Sequence, residues 1–131
     1  MNTLDIRTPS KTAMVNITSQ IDEIIRSSEV KSGICTVFVP HTTAGITINE
    51  NADPDVVSDI LKEINKIVPF DDNYSHIEGN SAAHIKASLF GSSLQAVISE
   101  GKLVLGVWQG IYLCEFDGPR NRNVLVSIIK G

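Results

Sequence analysis

Short runs of apolar, mostly β-branched residues recur along this chain between turn-forming residues, a pattern typical of β-strands. The clearest run spans residues 34–39 between Gly33 and Pro40, and it predicts a strand that is covered on both faces. Other runs of this kind lie at residues 4–6, 44–48, 93–98, 103–107, 111–116 and 124–129. Since such runs bury their side chains only when they pair, sheets must dominate the fold.

Helical spacing of apolar residues interrupts this pattern. Residues 17–25 follow it, with Asn16 placed to cap the start. Asp53 and Pro54 begin a longer helix that Pro69 ends, and a short helix over residues 81–90 is plausible before Gly91. Strands and helices do not alternate strictly, so the chain is expected to form one α+β domain over residues 1–131, with a large antiparallel or mixed sheet.

Composition excludes several classes of protein. A net charge of −4 argues against a general binder of nucleic acid or anionic membranes, and no apolar stretch is long enough to span a bilayer. The first residues lack the apolar core of a signal peptide, and both cysteines lie in apolar runs, so a cytoplasmic location is expected. Charged residues make up only 20% of the chain, which hints that copies of it cover part of its surface.

The three histidines of the chain all lie outside the apolar runs. His41 follows a predicted strand, His76 lies in a polar loop, and His84 lies near the start of the short helix. Three imidazoles from separate loops match the ligand count of a catalytic zinc site, with one position left for water. His76 and His84 would be about 12 Å apart along one helix, so only a loop that folds back brings them together. Local hydrogen bonding of three surface or cap histidines remains the alternative.

Side chains suited to acid–base chemistry and to anions lie near these histidines in the sequence. Glu78 and Asp117 could orient a metal-bound imidazole or accept a proton. Backbone N–H groups at the start of the short helix, at Asn80, could hold an anion. The hydroxyls of Thr42, Thr43 and Ser92 and the guanidinium groups of Arg120 and Arg122 could do the same.

Several blocks of residues resemble the YjbQ-like family. They are Pro-His-Thr-Thr-Ala-Gly-Ile at 40–46, Asn-Glu-Asn-Ala-Asp-Pro-Asp-Val at 49–56, His-x-Glu-Gly-Asn at 76–80, Ala-His-x-Lys at 83–86, the stretch 91–109, and Glu-Phe-Asp-Gly-Pro-Arg at 115–120. The resemblance covers nearly the whole chain, and Val107 departs from it where the family more usually carries threonine or serine. It implies a β-sandwich-like α+β fold, a homotrimer, and a pocket near the subunit boundary that holds His41, His76 and His84.

Members of that family are labelled secondary thiamine-phosphate synthases, which join hydroxymethylpyrimidine diphosphate to thiazole phosphate and release pyrophosphate. The resemblance therefore implies an enzyme that acts on a small phosphorylated metabolite with a divalent metal, zinc or magnesium. Arg120, Lys86 and the helix start at Asn80 could then stabilise the leaving pyrophosphate. The chain is short of basic residues for two phosphorylated substrates, so a metal-dependent hydrolase and a non-catalytic trimeric anion-binding module stay open.

Overall fold

The computed structural model describes residues 1–131, which form eight strands and three helices. In chain order these are β1 (Asn2–Arg7), β2 (Ala13–Asn16), α1 (Thr18–Ser28), β3 (Ser32–Phe38), β4 (Ala44–Glu50), α2 (Pro54–Ile67), α3 (Ser81–Phe90), β5 (Ser93–Ser99), β6 (Lys102–Val104), β7 (Gln109–Glu115) and β8 (Asn121–Lys130).

The strands form two antiparallel sheets. The larger sheet has the order β1-β8-β3-β5-β6, and the smaller has the order β2-β7-β4. The predicted β-sandwich-like α+β fold is confirmed, with the strands divided between two sheets. No helix combines the length and the apolar character that a membrane span requires.

Three local predictions need correction. The short strand β2 was not predicted, because four residues without flanking turn signals give too little periodicity. Strand β6 ends at Val104, and the residues that follow form a turn held by hydrogen bonds from the amides of Gly106 and Gln109. Strand β3 is not covered on both faces, since Ile34 and Phe38 on its outer face are 43% and 40% exposed.

The main core lies between the larger sheet, the smaller sheet and α1. Helix α1 contributes Ile21 and Ile25 to it, while β3 contributes Cys35 and Val37. Helix α1 begins one residue later than predicted, and Asn16 still supports it by accepting the amide N–H of Thr18. A second, smaller core lies on the other face of the smaller sheet, where α3 packs against β7.

Two connections that cross between the sheets position the site. The first runs from β3 in the larger sheet to β4 in the smaller one, and the second runs from β7 back to β8. Phe38 pairs with Leu125, and Ala44 pairs with Glu115, so both connections lie side by side at one end of the sandwich. The amide of Phe116 donates to the carbonyl of Thr43 across them. Residues 39–43 and 116–120, far apart in the sequence, are therefore neighbours.

Candidate functional site

A cavity of about 780 Å³ opens between the two crossing connections, the segment before α3, and α3 itself. We call it the histidine cavity because His41, His76 and His84 all line it. The structure also brings most of the other predicted site residues to its wall: Thr42, Thr43, Glu78, Asn80, Ser92, Asp117 and Arg120. Its volume lies within the range typical of sites for small molecules.

A buried ion pair lies beneath the floor of this cavity, to which only its arginine, Arg122, contributes. Arg122 and Glu115 are 3% and 0% exposed. The Arg122 Nε donates to Glu115 Oε1 over 2.8 Å, and its Nη2 donates to Glu115 Oε2 and to the hydroxyl and carbonyl oxygens of Thr43. A bidentate pair of this kind fixes the guanidinium plane in one orientation.

One end of the Arg122 guanidinium remains free to meet a ligand. Its Nη1 makes no hydrogen bond within the protein, although Nε and Nη2 are both fully used. The Arg122 Nη1 also retains contact with solvent, because Asn80 Oδ1 is the one fully buried side-chain nitrogen or oxygen that lacks a hydrogen-bond partner. Since Arg122 lines the cavity, this nitrogen offers two rigidly held N–H donors to an anion.

The carboxylate of Glu115 is held in its charged form. Burial alone would raise the pKa of Glu115, but hydrogen bonds from Arg122, the Asp117 amide and the Thr8 hydroxyl outweigh it and hold that pKa below its ordinary value. The charge of Arg122 acts in the same direction. The pair is therefore ionised at neutral pH.

His41 is neutral and has a defined tautomer. The backbone amide of Asn123 donates to His41 Nε2 over 2.9 Å, so the proton of the neutral ring is on Nδ1. Burial lowers the pKa of His41, and the neighbouring Arg122 charge lowers it further. With its Nε2 lone pair already engaged, His41 serves the cavity as a hydrogen-bond donor through Nδ1 in this arrangement.

His76 and His84 lie next to each other in the wall of the cavity. Their ring centroids are 5.6 Å apart, with the ring planes perpendicular. The loop does fold back between them, through a turn in which the amide of Gly79 donates to the carbonyl of His76. Glu78 lies beside this pair, with its Oε2 4.0 Å from His76 Nε2.

The donor set of this wall has the chemistry of a divalent metal site. As the side chains stand, no three His, Cys, Asp or Glu side chains lie close enough together to share an ion. Imidazole and carboxylate are nonetheless ligand types that zinc accepts, and His76, His84 and Glu78 all line the cavity. His76 and His84 would hold such a metal, whereas the Nε2 of His41 already accepts the amide N–H of Asn123.

Asn80, Asp117 and Arg120 form a chain of contacts across the cavity wall. Asn80 Nδ2 donates to Asp117 Oδ2 over 3.0 Å, and Arg120 Nη2 donates to the same oxygen over 3.1 Å. Arg120 also donates from Nε to the Asp117 carbonyl, and its side chain remains 49% exposed. Its charge is thus shared with Asp117 and with solvent.

Lys86 does not reach the histidine cavity, and the expectation that it binds an anion there needs correction. Its side chain is fully buried beneath α3, with Nζ donating to Asn65 Oδ1 over 2.6 Å and lying 3.8 Å from the centre of the Phe70 ring. Burial, followed by the charge of Lys11, lowers the pKa of Lys86 to about 8. A lysine inside a helix points to one side only, and here that side faces α2 rather than the cavity.

Sequence reasoning gave too little weight to three residues. The sequence points to Arg122 only as a companion of Arg120, and it singles out neither Glu115 nor Asn123 for the site. The alternating burial of β8, in which Arg122, Val124 and Val126 point inward, offered the missing signal. An arginine at an inward position must find a buried carboxylate.

The sequence of this chain is similar to those of known proteins. The family described as "UPF0047 protein YjbQ-like" matches residues 2–131. The chain is 52% identical over 124 residues to UPF0047 protein MJ1081 of Methanocaldococcus jannaschii, covering 95% of this chain and 90% of that protein. It is 44% identical over 130 residues to UPF0047 protein YugU of Bacillus subtilis, covering 98% of each.

Solved structures give the same result. An uncharacterised conserved protein of the YjbQ/UPF0047 family from Clostridium acetobutylicum superposes with a TM-score of 0.97 at 53% identity, covering 98% of this chain and 100% of that one. The conserved hypothetical protein TT1486 of Thermus thermophilus superposes with a TM-score of 0.92 at 39% identity, with coverage of 98% and 100%. None of these names specifies a reaction, so function has to be argued from the site.

Proposed function

This chain belongs to the YjbQ-like UPF0047 family, and from that premise we propose that the histidine cavity is the active site of a metal-assisted enzyme for a small phosphorylated metabolite. The observation that carries the proposal is the buried guanidinium of Arg122, which lines the cavity with three histidines and whose Nη1 makes no hydrogen bond within the protein. Thiamine-phosphate synthesis is the reaction that we propose, on the family resemblance noted from the sequence.

Anion binding is the first step of the proposed reaction. Arg122 is held rigid by Glu115 and Thr43, so its Nη1 donors lose little freedom when a phosphate arrives. Arg120 and the hydroxyls of Thr42, Thr43 and Ser92 line the same cavity and add further donors. The start of α3 contributes its dipole, and the first turn of that helix carries no acidic side chain.

Proton transfer and charge stabilisation fall to the histidines and carboxylates. His41 carries its proton on Nδ1 and can donate a hydrogen bond to an oxygen that gains charge. His76 and His84 would hold the metal, with Glu78 beside them as proton acceptor or further ligand and Asp117 ordering Asn80. When bound, the metal would supply a positive charge to stabilise a leaving phosphate.

In the reaction proposed, the thiazole nitrogen attacks the methylene carbon of hydroxymethylpyrimidine diphosphate. A C–N bond forms as the C–O bond to pyrophosphate breaks, and pyrophosphate leaves with the electron pair. Arg122, which lines the cavity, would neutralise part of the charge that develops on this leaving group. No general base is required for the attack itself, because the nitrogen uses its lone pair.

A homotrimer is the second part of the proposal. The outer face of the larger sheet carries a row of apolar side chains that face each other across four strands: Ile129, Ile34, Val97 and Val104. Their exposed fractions are 65%, 43%, 56% and 48%. A row of this kind is what a second copy would cover. Sedimentation of the wild-type protein should give three times the chain mass, and Val97→Glu should give monomers.

A cytoplasmic location is the third part of the proposal. Both cysteines are free and buried. Burial raises the pKa of Cys35 to about 11 and that of Cys114 to about 12, so neither forms a reactive thiolate at neutral pH. Two inert thiols and no disulfide agree with a reducing compartment.

The experiment that tests the enzyme proposal combines product analysis with metal analysis. Protein purified without chelator is assayed for bound metals and then incubated with hydroxymethylpyrimidine diphosphate and thiazole phosphate. We expect the pyrimidine–thiazole adduct and pyrophosphate in equal amounts, together with zinc or magnesium in the protein. His76→Ala and His84→Ala should each lose metal and turnover, while Ile85→Ala, at an exposed position on the same helix, should lose neither.

The other outcomes separate the alternatives. Release of phosphate or pyrophosphate without an adduct would show that the protein is a metal-dependent hydrolase and not a transferase. Tight binding of phosphate without turnover of any substrate would show that the protein is a non-catalytic trimeric anion-binding module.

A further inference from the structure

A second cavity adjoins the histidine cavity. It has a volume of about 530 Å³ and shares His41, Thr42, His84 and Ser92 with the first. The imidazoles of His41 and His84 therefore stand at the boundary between two spaces. We call the second space the small-residue compartment, because the residues that belong to it alone are Ala44, Ala87, Ser88 and Gly91.

The two spaces differ in charge. The histidine cavity has four charged side chains in its wall, those of Glu78, Asp117, Arg120 and Arg122. The small-residue compartment has none apart from the imidazoles at the boundary. A phosphate would bind beside Arg122, whereas the uncharged part of a ligand would lose little by leaving water for the compartment.

The compartment is open because the residues that line it have small side chains or none. A Cβ built on Gly91 would meet no atom within 4 Å, so the space in front of this residue is open. The Ser88 hydroxyl donates to the carbonyl of His84 over 3.0 Å and is thereby turned to its own helix. Ala87 is 8% exposed and Ala44 is 1% exposed, so both methyl groups are fixed by packing. A larger side chain at Ser88 or Gly91 would enter the space.

We infer that the small-residue compartment binds the uncharged organic part of a phosphorylated ligand whose phosphate is held by Arg122. This inference rests on the proposed function and adds to it the place where the compact uncharged group of a phosphate ester binds. The bond that joins the two parts would then lie against His41 and His84, at the boundary that the two cavities share.

The test compares inorganic phosphate with phenyl phosphate, which adds a compact uncharged ring, by titration calorimetry on the full chain. In the wild-type protein we expect phenyl phosphate to bind about tenfold more tightly, because the ring leaves water. Ser88→Leu adds bulk at an exposed helical position that lines only the compartment, and it should reduce the ratio of the two affinities to about one.

Two variants on the same helix act as controls. Ser88→Ala removes the hydroxyl without adding bulk and should keep the tenfold ratio. Leu89→Phe adds bulk at a position that is 63% exposed and lines no cavity, and it should keep the ratio too. Circular dichroism would verify that each variant folds.

The outcomes distinguish this inference from the proposed function. If phosphate binds but phenyl phosphate binds no better, or if Ser88→Leu keeps the tenfold ratio, the compartment is not a ligand subsite and only this inference is overturned. If neither compound binds in the presence of zinc or magnesium, the anion site of the proposed function fails, and this inference fails with it.

Discussion

The histidine cavity has two walls that are built in opposite ways. The strand wall consists of the crossing connections at 39–43 and 116–120 with the buried Arg122–Glu115 pair, and its groups hold each other in place. The loop wall consists of residues 70–80, which carry His76 and Glu78 on a largely exposed segment. Within residues 70–79, only the Tyr74 hydroxyl and the Gly79 amide donate hydrogen bonds.

Apart from Asn80, which is hydrogen-bonded to Asp117, the loop wall contacts the body through one aromatic ring. The Nζ of Lys11 lies 4.0 Å from the centre of the Phe70 ring, and the Nζ of Lys86 lies 3.8 Å from it. Beyond it, Ile77 is fully exposed. The two walls therefore differ in how firmly their groups are held. The strand wall provides a preorganised charge, whereas a ligand or a metal can set the final positions of the imidazoles on the other side.

The largest effect should come from the floor of the strand wall. Glu115→Gln leaves the Arg122 guanidinium buried without a countercharge, and we expect it to lower the free energy of unfolding by about 3 kcal/mol. The matched change in the loop wall, Glu78→Gln, should cost about 0.5 kcal/mol or less, because Glu78 is 76% exposed. Urea denaturation measures both. Equal losses would remove the distinction between the walls.

Phosphate affinity should distinguish the two arginines of the strand wall. Arg122→Lys cannot keep both the pairing with Glu115 and a free donor, so the affinity should fall about 30-fold. Arg120→Lys should lower it only about twofold, since Arg120 is half exposed and paired with Asp117. Calorimetry with inorganic phosphate at low ionic strength gives both values, and the reverse ranking would assign the anion to Arg120.

Acid should weaken the strand wall in two stages. The pKa of His41 is lowered from 6.5, chiefly by burial, so its contribution to stability is present above pH 6.5 and is lost as the pH falls below that. The pKa of Glu115 lies below its ordinary 4.5, so its contribution is lost later, as the pH falls below about 4.5. Thermal unfolding at pH 7.5, 5.5 and 3.5 should show both losses. The first should be absent in His41→Gln, and the second should be smaller in Glu115→Gln, where Asp22 still contributes to it. A flat profile in the wild-type protein would contradict this.

The smallest effect should come from the tip of the loop wall. Ile77→Ser removes an apolar side chain that is 100% exposed, so the free energy of unfolding should change by about 0.5 kcal/mol or less. Thermal denaturation measures this change. A loss above 1 kcal/mol would mean that Ile77 is covered in solution, and that the loop wall is more firmly attached than its contacts indicate.

Much of the site could be predicted because its residues stand out individually. Three histidines outside the apolar runs, with threonine hydroxyls beside the first, are unusual enough in a chain of this length to be selected one by one. Arg122 and Lys86 were harder to assign, because the direction of a side chain depends on which face of its element is buried. Inward alternation on β8 makes Arg122 part of the site, while the hydrogen bond of Lys86 to Asn65 in α2 turns Lys86 away from it.

The sequence by itself determined the helices, most strands and the α+β class, because apolar periodicity and turn residues act over a few positions. It also determined which side chains have the chemistry for a site. Only the tertiary structure decided that β3–β4 and β7–β8 cross between the sheets at the same end, which brings Thr43 and Arg122 together. Strand pairing over some 80 positions depends on packing of the whole core, and no local pattern in the chain specifies it.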